Sequence, residues 1–311
     1  MPLLFRQSTA EKFARLARAK TFVHKLKGFT AFRPSDFAPR IGLQLGLTDP
    51  VCGLNMGETA EVLAREFAIT RELQDAFALE SNARALAARE KLAEEICPVY
   101  PGSKPLAGNR SSAITADNGM RQDQTLEALA KLKPVFDRKT GTVTAGNSSQ
   151  ITDGAVALLV MTEAKAAELG YTPIGALSGY ATAGCDPVRM GLGPVFAIAK
   201  AEEKLGLTLE QADLIELNEA FAAQVLAVLK CFKSDEFAKK FLGRNRPLGK
   251  IDKDRLNVNG GAIALGHPVG ATGARLILTS LKELARRQAK RALVSLCVGG
   301  GQGVAFWLER L

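Results

Sequence analysis

Cys297 stands between an apolar run and three consecutive glycines in LCVGGGQGVAF, residues 296 to 306. A thiol in such a place can act as a nucleophile or exchange a proton, because glycine lets a ligand or another backbone come close to the main chain. In that reading the thiol is accessible and more reactive than Cys231, which an apolar helix hides. The same stretch also reads as a hairpin. RALVSLCV and GVAFWLER are rich in strand formers and flank a glycine turn, which makes Cys297 an ordinary core thiol. His267, in GHP, is one of only two histidines and follows a glycine loop. A neutral imidazole there can activate a thiol, or can be structural. Asn218 heads the helix-forming run NEAFAAQVLAVLKCF, the position of an N-cap. His24 lies in a basic segment and reads as surface.

These residues need a scaffold. From Pro173 onward, strand and helix patterns alternate: strand IGALSGYA, helix PVFAIAKAEEKLG, strand DLIEL, the helix after Asn218, strand RLNVNG, helix ATGARLILTSLKELARR and the closing hairpin. That is a layered α/β unit of five strands. Residues 1 to 150 instead read as helices and loops, including a long helix from about Thr70 to Glu95 with Thr70 as its N-cap. GAVALLVM, residues 154 to 161, reads as a buried strand followed by the helix TEAKAAELG. Its glycine start, apolar run and acidic end repeat those of QGVAFWLER, as if each closed one copy of a duplicated unit. The first copy shows no other strands, so the expectation is that its front is missing.

Composition bounds the class. The 311 residues are 47% hydrophobic and 23% charged, ordinary for a soluble globular chain of about two domains. No apolar stretch reaches the length of a spanning helix and no secretory signal is present, so a cytoplasmic setting is expected. Cys52, Cys97, Cys185, Cys231 and Cys297 form neither a CxxC nor a Cys/His pattern, which argues against a disulfide framework or a zinc site. The net charge of +9 is concentrated: residues 1 to 33 hold eight Lys or Arg against the single acid Glu11. Phe13, Leu16, Ala17 and Lys20 fall at helical spacing there, giving a basic amphipathic helix suited to an anionic membrane surface, ligand phosphates, an acidic partner or plain solvent. No nucleic-acid motif or aromatic platform accompanies the charge.

Three motifs, NEAF (218 to 221), NVNGGAIALGHPVGATGAR (257 to 275) and LCVGGGQGV (296 to 304), together resemble the thiolase superfamily in order and spacing. TVTAGNSSQITDGA (142 to 155) and NMGETAE (55 to 61) extend the resemblance over essentially the whole chain. It implies an α/β thiolase fold: a helical lid over residues 1 to 150, the last strand and helix of a truncated first βαβαβαββ half at 151 to 171, and a complete second half at 172 to 311. The implied activity is cleavage of 3-ketoacyl-CoA by CoA, or the reverse condensation of acetyl-CoA, in fatty-acid β-oxidation. Coenzyme A is then substrate, and no resident cofactor or metal is implied. The basic segment before GLTDPVCGLNMGETAE resembles the lid insertion of the thiolase (β) subunit of the fatty-acid trifunctional enzyme. That adds a trifunctional-enzyme α subunit, and a thiolase-type homo-oligomer, to the expected partners.

By the same resemblance His267 activates the nucleophile and donates to a thioester oxygen, while Cys297 is the acid/base thiol. Gly299 supplies an oxyanion donor, Asn218 orients an oxyanion-hole water, Ser149 lies near the pantetheine arm and Met56 lines the acyl pocket. One departure stands out. Thiolases carry the acyl group on a cysteine in Cys-x-Ser, and no cysteine of this chain is followed two residues later by serine. The chain by itself is therefore expected to be inactive, its missing front preceding Met1, and a non-catalytic CoA-binding or assembly protein is the alternative.

Overall fold

The computed structural model describes residues 3–100 and 113–311. It divides into two compact units, Met1–Met56 and Gly57–Leu311. In the first unit, short strands β1 (Leu3–Leu4) and β2 (Arg40–Ile41) pair antiparallel, and helices α1 (Gln7–Arg18), α2 (Phe22–Thr30) and α3 (Gly42–Gly46) accompany them. Lys12 donates to Asp36 at 2.6 Å, holding that carboxyl below the usual carboxylate range, and the ring of Phe32 packs on Phe13 and Phe37. Few other apolar groups are covered: Phe22 is 80% and Phe29 71% exposed on α2.

Helix α4 (Met56–Glu66) leads into the second unit, which continues with α5 (Arg71–Ala87), α6 (Arg89–Ala93), α7 (Leu126–Ala130) and α8 (Glu163–Glu168). Thr70 caps α5 as the sequence suggests, its hydroxyl accepting the Leu73 N–H, but the long helix breaks at Ala88. The following strands and helices alternate: β3 (Ala176–Gly184), α9 (Gly193–Leu205), β4 (Leu214–Leu217), α10 (Ala222–Phe232), α11 (Asp235–Phe241), α12 (Ala262–Leu265), α13 (Thr272–Arg287), β5 (Arg291–Val298) and β6 (Gln302–Glu309). The sheet order is β3-β6-β5-β4, with β4 parallel to β5 and the other pairs antiparallel.

Alternation of side chains builds two cores from this one sheet. Ile215, Leu217, Leu293 and Trp307 pack with α9 and α10 residues such as Val195, Ile198, Val225 and Val228. Leu214, Ala292, Val294 and Leu308 pack instead with Leu276, Leu281 and Leu284 of α13. Helices therefore cover both faces, which is why β4 and β5 read as continuous apolar runs. No helix among the described residues is long and apolar enough to cross a membrane.

Two strands expected from sequence do not form. Residues 154 to 161 carry no strand, and Leu159 and Val160 are exposed. A strand exists by pairing, and among the described residues nothing pairs with this segment. RLNVNG contributes a single parallel bridge, Leu256 to Ile215, before the backbone turns at Asn257, whose φ is +44°. The sheet has four strands rather than five for that reason.

Candidate active site

Asn218 and His267 lie 49 positions apart and meet where β4 ends. Backbone hydrogen bonds bring them together. The Asn218 N–H donates to the Ser295 carbonyl of β5 at 3.0 Å, so the residue continues the line of β4. It caps no helix: the N-cap of α10 is Phe221, three residues later, which corrects the capping expectation. His267 follows α12, and its N–H donates to the Gln150 carbonyl at 3.2 Å. The segment around Ser149 is laid between the two loops. The Ser149 N–H donates to Ala220 O at 2.9 Å, and Asn147 O accepts the Ala222 N–H at 2.9 Å.

Side-chain chemistry at this junction fixes the state of the imidazole. The Thr272 hydroxyl donates its one proton to the Pro268 carbonyl at 3.1 Å, so toward His267 Nδ1, at 2.6 Å, it can only accept. Nδ1 therefore carries the proton. The Asn218 amide nitrogen can only donate, and it stands 3.3 Å from Nε2, which must hold its lone pair toward it. Both contacts select the same tautomer. Burial, reinforced by the Arg275 charge, pushes the His267 pKa down to about 4, so the ring is neutral at physiological pH. Asn218 Oδ1 is buried with no hydrogen-bond partner among the described residues.

A shell of buried acids lies behind the pair. Glu219 accepts from Ser81 Oγ at 2.6 Å, Asn257 Nδ2 at 2.8 Å and the Ile263 N–H at 3.3 Å. Burial raises its carboxyl, and these donors oppose the rise. Glu216, on β4, is pushed up to about 8 by burial, an effect that the Arg275 charge counters. The sequence reading missed Glu219, although it sits inside NEAF, and Thr272, although it sits inside the histidine motif. Ser81 has no local signal at all, since it acts across 138 positions.

The glycine run around Cys297 serves the hairpin. Gly300 and Gly301 have φ of +85° and +73°, and a Cβ on Gly301 would lie 2.2 Å from the Cys185 carbonyl oxygen. Cys297 pairs with Gly303 across the ladder and is only 7% exposed. Burial pushes its thiol up to about 12, as it does that of Cys231. The expected accessibility of Cys297 is thus corrected: it lies on an inner strand, and the turn exposes Val298 and Gly299 rather than the sulfur. Cys297 stays linked to the junction through β5, two residues beyond the Ser295 that holds Asn218. The Gly299 carbonyl accepts from Gln302 Nε2 at 3.0 Å. Met56, half-buried at the start of α4, is the last residue of the first unit.

Known proteins resemble this chain in sequence and fold. Residues 171–310 match the family description "Thiolase, C-terminal domain" and residues 29–164 match "Thiolase, N-terminal domain". A 3-ketoacyl-CoA thiolase of Klebsiella pneumoniae (strain 342) is 43% identical over 314 residues, covering 99% of this chain and 70% of that protein. The crystal structure of the Bacillus anthracis acetyl-CoA acetyltransferase superposes with a TM-score of 0.78 at 42% identity, over 88% of this chain and 64% of that one. Human mitochondrial 3-ketoacyl-CoA thiolase in complex with CoA gives a TM-score of 0.72 at 38% identity, over 90% of this chain and 66% of that one. The chain thus spans between about three fifths and seven tenths of these relatives, and with both thiolase domains matched it belongs to the thiolase family.

Proposed function

We propose that the chain supplies the histidine side of a thiolase reaction: thiolytic cleavage of 3-ketoacyl-CoA by CoA, or the reverse condensation of acetyl-CoA, as in fatty-acid β-oxidation. The observation that carries this reading is the neutral His267 whose Nε2 lone pair faces Asn218 at 3.3 Å. In cleavage, a thiolate attacks the 3-keto carbon and the bond between C2 and C3 breaks. The acetyl-CoA carbanion takes a proton, and the CoA thiol then attacks the acyl thioester to release the shortened acyl-CoA. In this reading Nε2 takes the proton from the attacking thiol. Asn218 Oδ1 is the acceptor that orients a water toward the developing oxyanion, with the Gly299 amide as donor to the second one. Cys297 exchanges the proton at the α-carbon. Its buried thiol suits an acid that stays protonated until a carbanion appears beside it. Ser149 and Met56 are read as contacts for the pantetheine arm and the acyl chain.

The attacking thiol itself has no Cys-x-Ser counterpart in these residues. Purified chain, assayed with acetoacetyl-CoA or a longer 3-ketoacyl-CoA plus CoA, is expected to show no turnover. Mixing it with a thiolase fragment carrying Cys-x-Ser is expected to give weak turnover that a Cys-to-Ala fragment does not. Turnover by the chain alone within tenfold of a thiolase bearing that motif would refute the assignment of roles. The exposed apolar run at 154 to 161 is the surface on which such a fragment would pair.

The missing motif and the buried Cys297 also favour a second reading, a non-catalytic CoA-binding or assembly protein. Calorimetric binding of CoA without turnover in any mixture selects it. Helix α2 adds a partner to either reading. Its exposed Phe22 and Phe29, beside Lys25 and Lys27, suit an anionic membrane surface. Vesicles containing anionic phospholipid are expected to retain the protein at low salt, and Phe22→Ser with Phe29→Ser to release it; equal retention of wild type and variant removes this partner. Self-association and pairing with a trifunctional-enzyme α subunit belong to the same proposal.

A further inference from the structure

Strand β4 is an edge strand, so Ile215 and Leu217 present N–H and C=O groups away from β5. The chain at Leu256 and Asn257 covers that edge in an unusual way. Leu256 makes the one bridge to Ile215, and the Asn257 N–H donates to the Ile215 carbonyl at 2.9 Å. Beyond that point a strand would continue alongside Leu217. Instead the backbone turns into the left-handed region at Asn257 and again at Gly260, where φ is +76°. The side chain of Asn257 takes over: Oδ1 accepts the Leu217 N–H at 2.8 Å, and Nδ2 donates to the Leu217 carbonyl at 2.9 Å. One amide side chain thus stands in for a neighbouring strand at the residue before Asn218.

The same nitrogen also donates to Glu219 Oε1 at 2.8 Å, at the residue after Asn218. Glu219 in turn holds Ile263 of α12 and Ser81 of α5, and Ser81 Oγ accepts the Gly261 N–H at 3.1 Å. We propose that Asn257 is a positioning residue: it fixes both chain neighbours of Asn218, and its turn redirects the backbone so that α12 returns His267 to the Asn218 amide. Asparagine suits the place twice over. It tolerates the left-handed backbone, and it alone combines that tolerance with a donor and an acceptor on one short side chain. The proposal rests on reading Asn218 and His267 as a working pair, but its test requires no turnover.

The chain has two histidines, so the imidazole nitrogens of His267 can be followed by 15N NMR once His24 is assigned by substitution. In the full chain, Nδ1 should show the protonated shift and Nε2 the lone-pair shift. Asn257→Gly keeps the backbone freedom and removes all three side-chain hydrogen bonds; Asn257→Asp keeps the acceptor and loses the donor. Each is expected to shift the Nε2 resonance as the Asn218 donor leaves its lone pair, while the Thr272 contact keeps the proton on Nδ1. Phe237→Ala, a core truncation in α11, lowers the melting temperature as a structural control and should leave both His267 resonances in place. Unmoved His267 resonances in the folded Asn257 variants overturn the proposal. So does failure of both variants to fold, since Asn257 would then serve the fold as a whole. If the resonances move but no fragment mixture gives turnover, the positioning role stands and the thiolase reading falls.

Discussion

His267 should be nearly impossible to protonate near neutral pH, and the consequence for stability has a definite sign. Its pKa falls from 6.5 in the unfolded chain to about 4, first because burial disfavours the charged ring and second because Arg275 repels it. Between these values the unfolded state binds more protons than the native state, so stability rises with pH across that window and falls as pH drops through it. The full shift corresponds to about 3 kcal/mol, of which about 2.5 is felt by pH 4.5. Glu216 works the other way. Its folded pKa is raised to about 8, so it contributes stability at low pH that is lost as pH climbs from about 4.5 through 8.

Comparing wild type with His267→Gln at each pH cancels the Glu216 contribution, which both proteins share. At pH 7 the glutamine is expected to cost about 1 kcal/mol, for contacts to Thr272 and Asn218 that it remakes imperfectly. At pH 4.5 the order should reverse, with the variant more stable by roughly 1.5 kcal/mol. Urea unfolding at the two pH values measures the difference, and NMR titration of the His267 ring gives the pKa directly. A ring that titrates between pH 6 and 7, or a difference between the two proteins that does not change with pH, would refute the argument that burial keeps this imidazole neutral.

Native alkylation followed by mass mapping should label Cys97 first, which is exposed, then half-buried Cys52 and Cys185, with Cys231 and Cys297 last; early labelling of Cys297 would restore its reading as an open thiol. Gly261→Ala should destabilise by about 2 to 4 kcal/mol, because its Cβ would fall 2.2 Å from the Glu219 carboxyl carbon and displace a group that accepts three hydrogen bonds. Gly206→Ala is the contrasting case. Its Cβ meets nothing within 4 Å but φ is +70°, so a cost of only about 1 kcal/mol is expected in the same urea experiment.

Much of the second unit was legible because its signals are periodic and local. Helices α9, α10 and α13, strands β3 and β4 and the β5–β6 hairpin stand where alternation of apolar patterns puts them. The failures share a cause. The run at 154 to 161 has every local property of a buried strand, but a ladder needs a second backbone, and sequence pattern alone does not show whether one is there. RLNVNG looks equally strand-like until the Asn257 side chain replaces the ladder. Cys297 was read as open because glycines follow it. It instead pairs with Gly303 of β6 on an inner strand of the sheet, which is not visible from the local sequence.

The junction shows how the motifs depend on one another. Asn218 ends a strand, His267 follows a loop, and each would be unremarkable by itself. What joins them is a set of polar groups hidden from solvent: the Asn257 amide on the edge of β4, the Glu219 carboxylate beneath the glycine turn, the Ser81 hydroxyl from α5 and the Thr272 hydroxyl that fixes the ring. Buried polar groups are costly unless every donor and acceptor is met, so one loss at this junction propagates. Without the Ser81 hydroxyl, Glu219 loses a donor and the Gly261 amide an acceptor, and both flank the path from α12 to His267. Glycine is needed at 261 for the same reason, since only a residue without a side chain lets that carboxylate lie against the turn. The shared network explains why the asparagine, histidine and serine segments must converge in space although they are far apart along the chain.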